Sequence, residues 1–210
     1  FNLLTGYTRP QKFNHLFMAP TGLREHFISC IRREADHARA GQPARIIAKV
    51  NSLIDPAVIE EIYLASQAGA QIDLIVRGMC SLRPGLPEVS ERIRVVSIVD
   101  RYLEHARIFY FHNGGDPVYL LSSADWMQRN FDRRVEIAFP VIDAQLQAKL
   151  KNILEIQLED NVKGWSIRPD GGYCRNRAEG KTYLRCQDRL YDAAQAEDGG
   201  SPAARTSPID

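Results

Sequence analysis

Apolar residues recur at helical spacing in three stretches of the chain, so three amphipathic helices are predicted. The first is expected to begin at Thr21, a residue type that caps helices, and to end before Gly41. The second opens at Asp55, which is followed by a proline, and stops at Gly69, whereas the third opens at Asp143. The apolar positions of these helices are Leu23, Phe27, Cys30, Ile31, Ala35, Val58, Ile59, Ile62, Tyr63, Ala65, Leu146, Leu150, Ile153, Leu154 and Leu158.

Six short apolar runs are bounded by turn-forming residues and predict β-strands. The runs cover residues 44–50, 71–76, 93–99, 107–112, 118–122 and 135–139. The first two flank the second predicted helix, so they are expected to lie parallel with a right-handed crossover. Residues 113–116 carry an Asn-Gly turn signal, which predicts a hairpin between the fourth and fifth runs. The predicted fold class is α/β, a mixed β-sheet with helices packed on it.

The regularity of this pattern divides the chain into three segments. Residues 1–20 contain two prolines and are interpreted as a leading segment from a preceding domain, and residues 21–162 as one folded domain. Apolar periodicity weakens afterwards, so residues 163–210 are predicted to form a C-terminal tail that is partly disordered, above all at 198–202. Because the chain begins at Phe1 in what reads as the middle of a segment, it is expected to be a piece of a longer protein.

Composition and charge argue against several classes of protein. The 210 residues include 27 Lys and Arg against 26 Asp and Glu, which gives a net charge of +1. A broad nucleic-acid surface needs an excess of basic residues, so no nucleic acid is expected as a partner, although a local basic pocket is compatible with this balance. No apolar run approaches the roughly 20 residues that span a bilayer, and no signal peptide is seen, so a cytoplasmic location is predicted.

The four cysteines are predicted to be free thiols in a reducing compartment. Cys30, Cys80, Cys174 and Cys186 lack the mutual spacing and the accompanying histidine pair of a zinc site. Nothing in their distribution suggests a disulfide framework, and Cys30 and Cys80 are interpreted as buried. No metal site is therefore predicted on this chain.

Candidate chemistry concentrates where predicted strands end. Arg77 and Gly78 directly follow the second strand, and residues 100–107 form the densest polar stretch, just after the third. Strand ends are where ligands bind in open α/β sheets. A fixed guanidinium at Arg77 suits bidentate binding of phosphate oxygens, and Gly78 lets backbone approach a ligand closely. A structural role for Arg77 at the strand end is the alternative.

His105 begins the first hairpin strand, where its ring can be held rigidly at a sheet end. An imidazole there can accept a phosphoryl group or move a proton near neutral pH, with Glu136 or Asp132 as the acid that orients it. Strand alternation places Arg134 and Glu136 on one side, as an ordinary ion pair or as part of a phosphate cradle. The alternative for His105 is a half-buried histidine without a catalytic role.

The remaining histidines and the tryptophan favour structural interpretations. His15, His26 and His37 are predicted to lie at the surface, and His112, beside the hairpin turn, is expected in solvent. Trp126 is interpreted as a packing residue rather than as a site for stacking a base.

Three strings of residues carry a resemblance to a known family. Residues 76–82 (VRGMCSL), 97–105 (SIVDRYLEH) and 121–127 (LSSADWM) resemble the second C-terminal domain of bacterial polyphosphate kinase, the ATP-polyphosphate phosphotransferase. The resemblance runs from about residue 16 to 162 and implies a phospholipase-D-like fold. It also implies reversible transfer of the ATP terminal phosphate to inorganic polyphosphate, through a phosphohistidine in a domain that this chain lacks. The isolated chain is accordingly expected to be inactive.

Residue roles and partners follow from the same resemblance. Arg77 matches the family's ATP-contacting arginine, and His105 matches its second active-site histidine, which also contacts ATP phosphates. Arg134 and Glu136 match a further arginine and glutamate needed for activity. The full enzyme is expected to use Mg²⁺, with ligands that are not on this chain. The implied partners are ATP or ADP, polyphosphate and the missing N-terminal, head and first C-terminal domains. Homo-oligomerisation and membrane association of the full enzyme stay open.

One departure from the fold family keeps other functions open. Phospholipase-D-like domains carry His-x-Lys followed by an Asp, whereas here Arg107 follows His105 at the lysine position and His112 stands where the Asp falls. This argues against phosphodiester hydrolysis and favours phosphoryl transfer. The alternatives are one half of a phospholipase-D-like phosphodiesterase or nuclease, and a non-catalytic phosphate-binding or docking module.

Overall fold

This computed structural model describes residues 13, 15–177, 180 and 182–197, which contain nine strands and five α-helices. The strands are β1 (Phe17–Ala19), β2 (Arg45–Val50), β3 (Gln71–Val76), β4 (Ile93–Ile98), β5 (Arg107–Phe111), β6 (Val118–Ser122), β7 (Glu136–Pro140), β8 (Gly164–Ile167) and β9 (Tyr173–Arg175). The helices are α1 (Leu23–Arg39), α2 (Pro56–Ala68), α3 (Gln128–Arg133), α4 (Ala144–Leu158) and α5 (Cys186–Glu197). A short 3-10 turn at Asn113–Gly115 joins β5 to β6.

The strands form one mixed sheet in the order β1-β7-β6-β5-β2-β3-β4-β8-β9. Strands β2, β3 and β4 are parallel, and the other neighbouring pairs are antiparallel. The parallel pairing of β2 with β3 confirms the predicted strand-helix-strand unit. The pairing of Arg107 with Ser122 confirms the predicted hairpin.

Helices cover both faces of the central strands, and strand alternation divides the core between them. In β2, Ile46 packs into the cluster beneath α1 and α2, whereas Ile47 packs into the cluster beneath α4 and α5. Both side chains are fully buried, and each such burial stabilises the fold by about 1.5–3 kcal/mol. The α/β fold class is therefore confirmed.

Two of the three predicted N-caps are present. Asp55 accepts a hydrogen bond from the Val58 backbone N–H, and Asp143 accepts from the backbone N–H groups of Gln145 and Leu146. Thr21 is a wrong prediction, because Gly22 occupies the cap position of α1 and makes no side-chain capping bond. The Thr21 amide instead donates to the Met18 carbonyl at 3.1 Å, so the chain is still turning at this residue.

The folded region extends beyond residue 162, where the sequence placed the end of the domain. Strand β8 pairs with β4, β9 pairs with β8, and Cys186 at the start of α5 lies in the second core cluster. These strands have only 4 and 3 residues, too few to show a periodic pattern. Strand β1 likewise lies within the predicted leading segment. The disorder predicted for 198–202 falls outside the described residues. Among the helices of the described part, none is both long and apolar enough to cross a bilayer.

Candidate active site

One edge of the sheet collects the predicted site residues. The parallel strands β2 and β3 end side by side, with Val50 paired to Val76, and antiparallel β5 begins at that same edge. Arg107, the first residue of β5, pairs with Ser122, the last residue of β6, and β7 starts next to it. Segments far apart in sequence therefore meet where three strands end and two begin, the usual place for a ligand in such sheets.

Five side chains at this edge form a connected series, called here the inner relay: Asn51, Arg77, His105, Arg107 and Asp125. Arg77 Nε donates to the side-chain Oδ1 of Asn51 at 2.6 Å. The backbone N–H of Asn51 donates to Asp125 Oδ1 at 2.7 Å. Arg107 donates to both carboxylate oxygens of Asp125, with Nε and Nη2 each 3.1 Å away. The relay joins two predicted site residues, Arg77 and His105, through a buried carboxylate.

His105 ends the relay against the Arg107 guanidinium. Its Nδ1 lies 3.2 Å from Arg107 Nη1, and its Nε2 lies 3.4 Å from Arg107 Nη2. Arginine only donates, and a neutral imidazole has a single accepting nitrogen, so one contact is a hydrogen bond and the other is close packing of the two groups. The imidazole is exposed to solvent. Arg107 therefore holds an accessible ring in a fixed orientation.

The electrostatics of the relay centre on Asp125. Burial raises the pKa of this carboxyl, but the bonds from Arg107 and Asn51 outweigh it and hold the pKa below its usual range. Gly78 supports the same region, because its amide donates to the Asn51 carbonyl at 2.7 Å and an added Cβ would lie 2.7 Å from that oxygen. The close approach predicted at Gly78 is thus to Asn51 backbone rather than to a ligand.

A second group of side chains, called here the β7 corner, consists of Ser123, Asn130, Arg134 and Glu136. Glu136 is 8% exposed and accepts hydrogen bonds from Ser123 Oγ and Asn130 Nδ2, both at 2.5 Å. Arg134 Nη1 lies 3.9 Å from Glu136 Oε1, and the Arg134 side chain is 51% exposed. Arg134 and Glu136 do face one another as predicted, but the contact is loose.

The acidic partner predicted for His105 was wrong. Asp132 forms an ion pair with Arg24 at 2.7 Å, and Glu136 is bonded within the β7 corner. Strand β6 lies between β5 and β7, so residues at the starts of β5 and β7 are separated by about 10 Å. The sequence predicted that four side chains share one hollow; in the structure His105 and Arg77 belong to the inner relay, and Arg134 and Glu136 to the β7 corner.

A family model for the polyphosphate kinase C-terminal domain 2 matches residues 16–187. The chain belongs to this family. The polyphosphate kinase of Thermosynechococcus vestitus is 57% identical over 173 residues, which cover 82% of this chain and 24% of that protein. The crystal structure of polyphosphate kinase from Porphyromonas gingivalis matches with a TM-score of 0.90 and 39% identity, over 94% of this chain and 30% of that one. The chain thus spans about a quarter of the curated relatives it matches.

A more distant match concerns the fold of this polyphosphate kinase domain. Nuc from Salmonella typhimurium, a phospholipase D family member, matches with a TM-score of 0.54 at 13% identity, covering 73% of this chain and 96% of that one. At this identity the likeness shows the fold alone. The phospholipase-D-like architecture expected from the sequence is therefore confirmed.

Three polar residues of the site in this polyphosphate kinase domain escaped the sequence prediction: Lys49, Asn51 and Asp125. Lys49 stands between apolar residues near the end of β2, is 5% exposed, and forms an ion pair with Glu104 at 3.4 Å. Burial lowers the pKa of Lys49, and the neighbouring Glu104 opposes this. A charge with apolar residues on both sides within a predicted strand was the signal for Lys49. Asn51 and Asp125 gave no such signal, because they are 74 residues apart and meet only through the sheet.

The residues of this domain do not fit a metal ion. In the described ranges, no group of three or more His, Cys, Asp or Glu side chains is arranged to hold one. The acids at the strand edge are already used, Asp125 by Arg107 and Glu136 by Ser123 and Asn130. We therefore derive no step through a metal on this domain.

Predictions for residues outside the site had mixed outcomes. Trp126 is fully buried, which confirms its packing role. His26 is not a surface residue as predicted, because it is half-buried and its ring stacks on Phe17 with centroids 3.3 Å apart. Burial, with a smaller effect from Arg33, lowers the pKa of His26 to about 4. Its neighbour on α1, Cys30, is buried as predicted.

Proposed function

We propose that this domain is part of a polyphosphate kinase that transfers the terminal phosphate of ATP reversibly to inorganic polyphosphate, and that the strand edge binds and positions the phosphates. The observation that carries the proposal is the inner relay, which places an exposed imidazole and a strand-end guanidinium at one edge of a domain of this family. Phosphoryl transfer depends mainly on positioning and on charge stabilisation, and these groups suit both tasks.

Arg77 would hold phosphate oxygens. Its Nε is committed to Asn51, which fixes the plane of the guanidinium and leaves the two terminal nitrogens as donors to a phosphate. Each charge-assisted contact of this kind is worth about 1.5–3 kcal/mol. The inner relay therefore orients Arg77 before a substrate arrives.

His105 would exchange a proton with an oxygen of the bond being made or broken. The ring is exposed to solvent, and an imidazole can donate a proton to an oxygen through one nitrogen or accept one at the other. Arg134 would offset the negative charge of the phosphates, since its side chain is half exposed and only loosely paired with Glu136. Glu136 would orient Arg134 rather than His105.

The nucleophile that carries the phosphoryl group would lie in another domain. The proposal takes from the family resemblance that a phosphohistidine of the first C-terminal domain accepts the phosphate, and that Mg²⁺ is held by ligands outside this chain. ATP or ADP, polyphosphate and those further domains are the proposed partners. We expect the 210-residue chain alone not to elongate polyphosphate from ATP; elongation by the purified chain would contradict this two-domain account.

The proposal is tested by replacing His105 with Ala in the enzyme that carries all its domains. The expected result is a fall in kcat of about 100- to 10,000-fold, because a positioned general acid or base is lost. His112→Ala is the matched control, since His112 directly follows the other end of β5 and bonds to Tyr110. Unchanged kcat in His105→Ala would remove this residue from the mechanism. Hydrolysis of a chromogenic phosphodiester by the chain would instead favour a phosphodiesterase.

A further inference from the structure

The loop that carries His105 is tied to the C-terminal end of the described chain. Asp100, at the start of the loop, accepts two hydrogen bonds from Arg185, from Nε at 2.8 Å and from Nη2 at 2.5 Å. The Asp100 side chain is 2% exposed and the Arg185 side chain 19%. These bonds hold the pKa of Asp100 below its usual range, against the opposing effect of burial. A paired, buried carboxylate of this kind anchors backbone firmly.

Gln187 fixes the middle of the same loop through both ends of its amide. Its Oε1 accepts from the Tyr102 amide at 2.9 Å, and its Nε2 donates to the Tyr102 carbonyl at 2.8 Å. The same Nε2 lies 3.0 Å from Glu104 Oε1, and Gln187 is 6% exposed. Glu104 is held further by Gln157 and Lys49. The residue immediately before His105 is thus bonded from both helices of the second face and from β2.

Apolar packing does not account for the position of this loop. Its large apolar side chains point outward, with Val99 70%, Tyr102 50% and Leu103 75% exposed. A loop without buried apolar side chains is held by its polar bonds, and it opens at low cost when they are removed. The bonds from Arg185 and Gln187, together with those of Gln157 and Lys49 to Glu104, therefore set the path of the chain into His105.

We propose that Arg185 and Gln187 are positioning residues for the phosphoryl-transfer step, acting as a C-terminal clamp on the loop of residues 100–104 that presents His105. The inference rests on the proposed function, since it requires His105 to act in the reaction. Both residues bond the loop rather than a member of the inner relay, so both act through the loop. A displacement of a reacting group by about 1 Å can cost a reaction about 100-fold in rate, which sets the scale of the expected effect.

The kinetic test uses Arg185→Ala and Gln187→Ala in the enzyme with all its domains. The clamp predicts that kcat falls about 10- to 100-fold in each, with KM for ATP changed less than about 3-fold, since substrate binding is retained while the acting group is misplaced. Lys149→Ala is the matched control, because it removes an ion pair between α4 and α5, Lys149 with Glu197 at 2.5 Å, that does not involve the loop. This control is expected to keep wild-type kcat.

A charge swap separates positioning from general instability. The double variant Asp100→Arg with Arg185→Asp restores a pair of opposite charges across the same gap. We expect its kcat to be at least about 10-fold higher than that of Arg185→Ala. A swap that recovers thermal stability but not kcat would overturn the clamp. If Arg185→Ala fails to fold, Arg185→Lys keeps the charge but loses the bidentate bond, and the clamp predicts an intermediate kcat.

Hydrogen exchange of the 210-residue chain gives a readout independent of activity. The Tyr102 amide is expected to exchange at least about 10-fold faster in Gln187→Ala, whereas the Asn51 amide, bonded to Asp125, keeps its rate. Unchanged Tyr102 exchange would contradict the clamp. Wild-type kcat in both clamp variants, with His105→Ala inactive, would overturn the clamp alone; full activity of His105→Ala would overturn the proposed function itself.

Discussion

The inner relay and the β7 corner each pair an arginine with a buried carboxylate, yet they hold these groups differently. Arg107 is 12% exposed and makes a bidentate pair with Asp125, whereas Arg134 is 51% exposed and lies 3.9 Å from Glu136. A guanidinium fully used by a carboxylate has little left for a substrate, while a loosely paired one can turn to a phosphate. Of these two arginines, Arg107 is used within the architecture of the site, whereas the Arg134 guanidinium is free to turn towards a ligand.

Removing the carboxylate of Asp125 from the inner relay should produce the largest fall in the free energy of unfolding. Asp125→Ala leaves Arg107 and Asn51 buried without their acceptor, and breaking a buried ion pair in this way costs about 3–5 kcal/mol. Urea unfolding of the 210-residue chain measures it, with Asp116→Ala, an exposed acid of the hairpin turn, as the control. A loss below about 1 kcal/mol in Asp125→Ala would mean that the inner relay does not support the strand edge.

A substitution in the β7 corner, unlike one in the inner relay, should change ligand binding rather than the free energy of unfolding. Arg134→Ala is expected to change the free energy of unfolding by less than about 0.5 kcal/mol, because the side chain is exposed. It should weaken the binding of long-chain polyphosphate by about 1.5–3 kcal/mol, the value of a charge-assisted contact. Calorimetric titration of the chain measures the binding, and Arg133→Ala, at the adjacent exposed arginine, is the control.

One pattern of results would reverse the roles of the inner relay and the β7 corner. If Arg134→Ala unfolded the domain while polyphosphate still bound, the β7 corner would be the structural element. Arg107→Ala is therefore a useful companion, because it should lower the thermal midpoint through the loss of the Asp125 pair. Equal effects of both arginine variants on binding and on stability would remove the distinction between the two regions.

The fold could be predicted where the pattern was long enough to repeat. Helix α2 and its flanking strands were predicted from runs of six or more residues and from the cap at Asp55, all of which the structure contains. Strands β1, β8 and β9 have 3, 4 and 3 residues, and α3 has 6, so neither period could be recognised in them. The domain limit at 162 was misplaced for this reason.

Of the candidate site, only the residues next to predicted strand ends could be predicted from the sequence. Arg77 and His105 stand next to predicted strand ends, and the sheet does bring them to one edge. Their connection through Asn51 and Asp125 could not be predicted, because those residues meet across 74 positions and only the order of the strands brings them together. The order of β5, β6 and β7 likewise keeps Glu136 away from His105, a fact that no local pattern contained.

We infer that the inner relay acts as one unit in positioning His105 for phosphoryl transfer. A double-mutant cycle on kcat/KM tests it, with Asp125→Asn, His105→Ala and the combination in the enzyme with all its domains. Coupling through the inner relay predicts that Asp125→Asn lowers kcat/KM at least about 10-fold in the wild type and less than about 2-fold once His105 is absent. Equal fold-losses from Asp125→Asn in both backgrounds would contradict it.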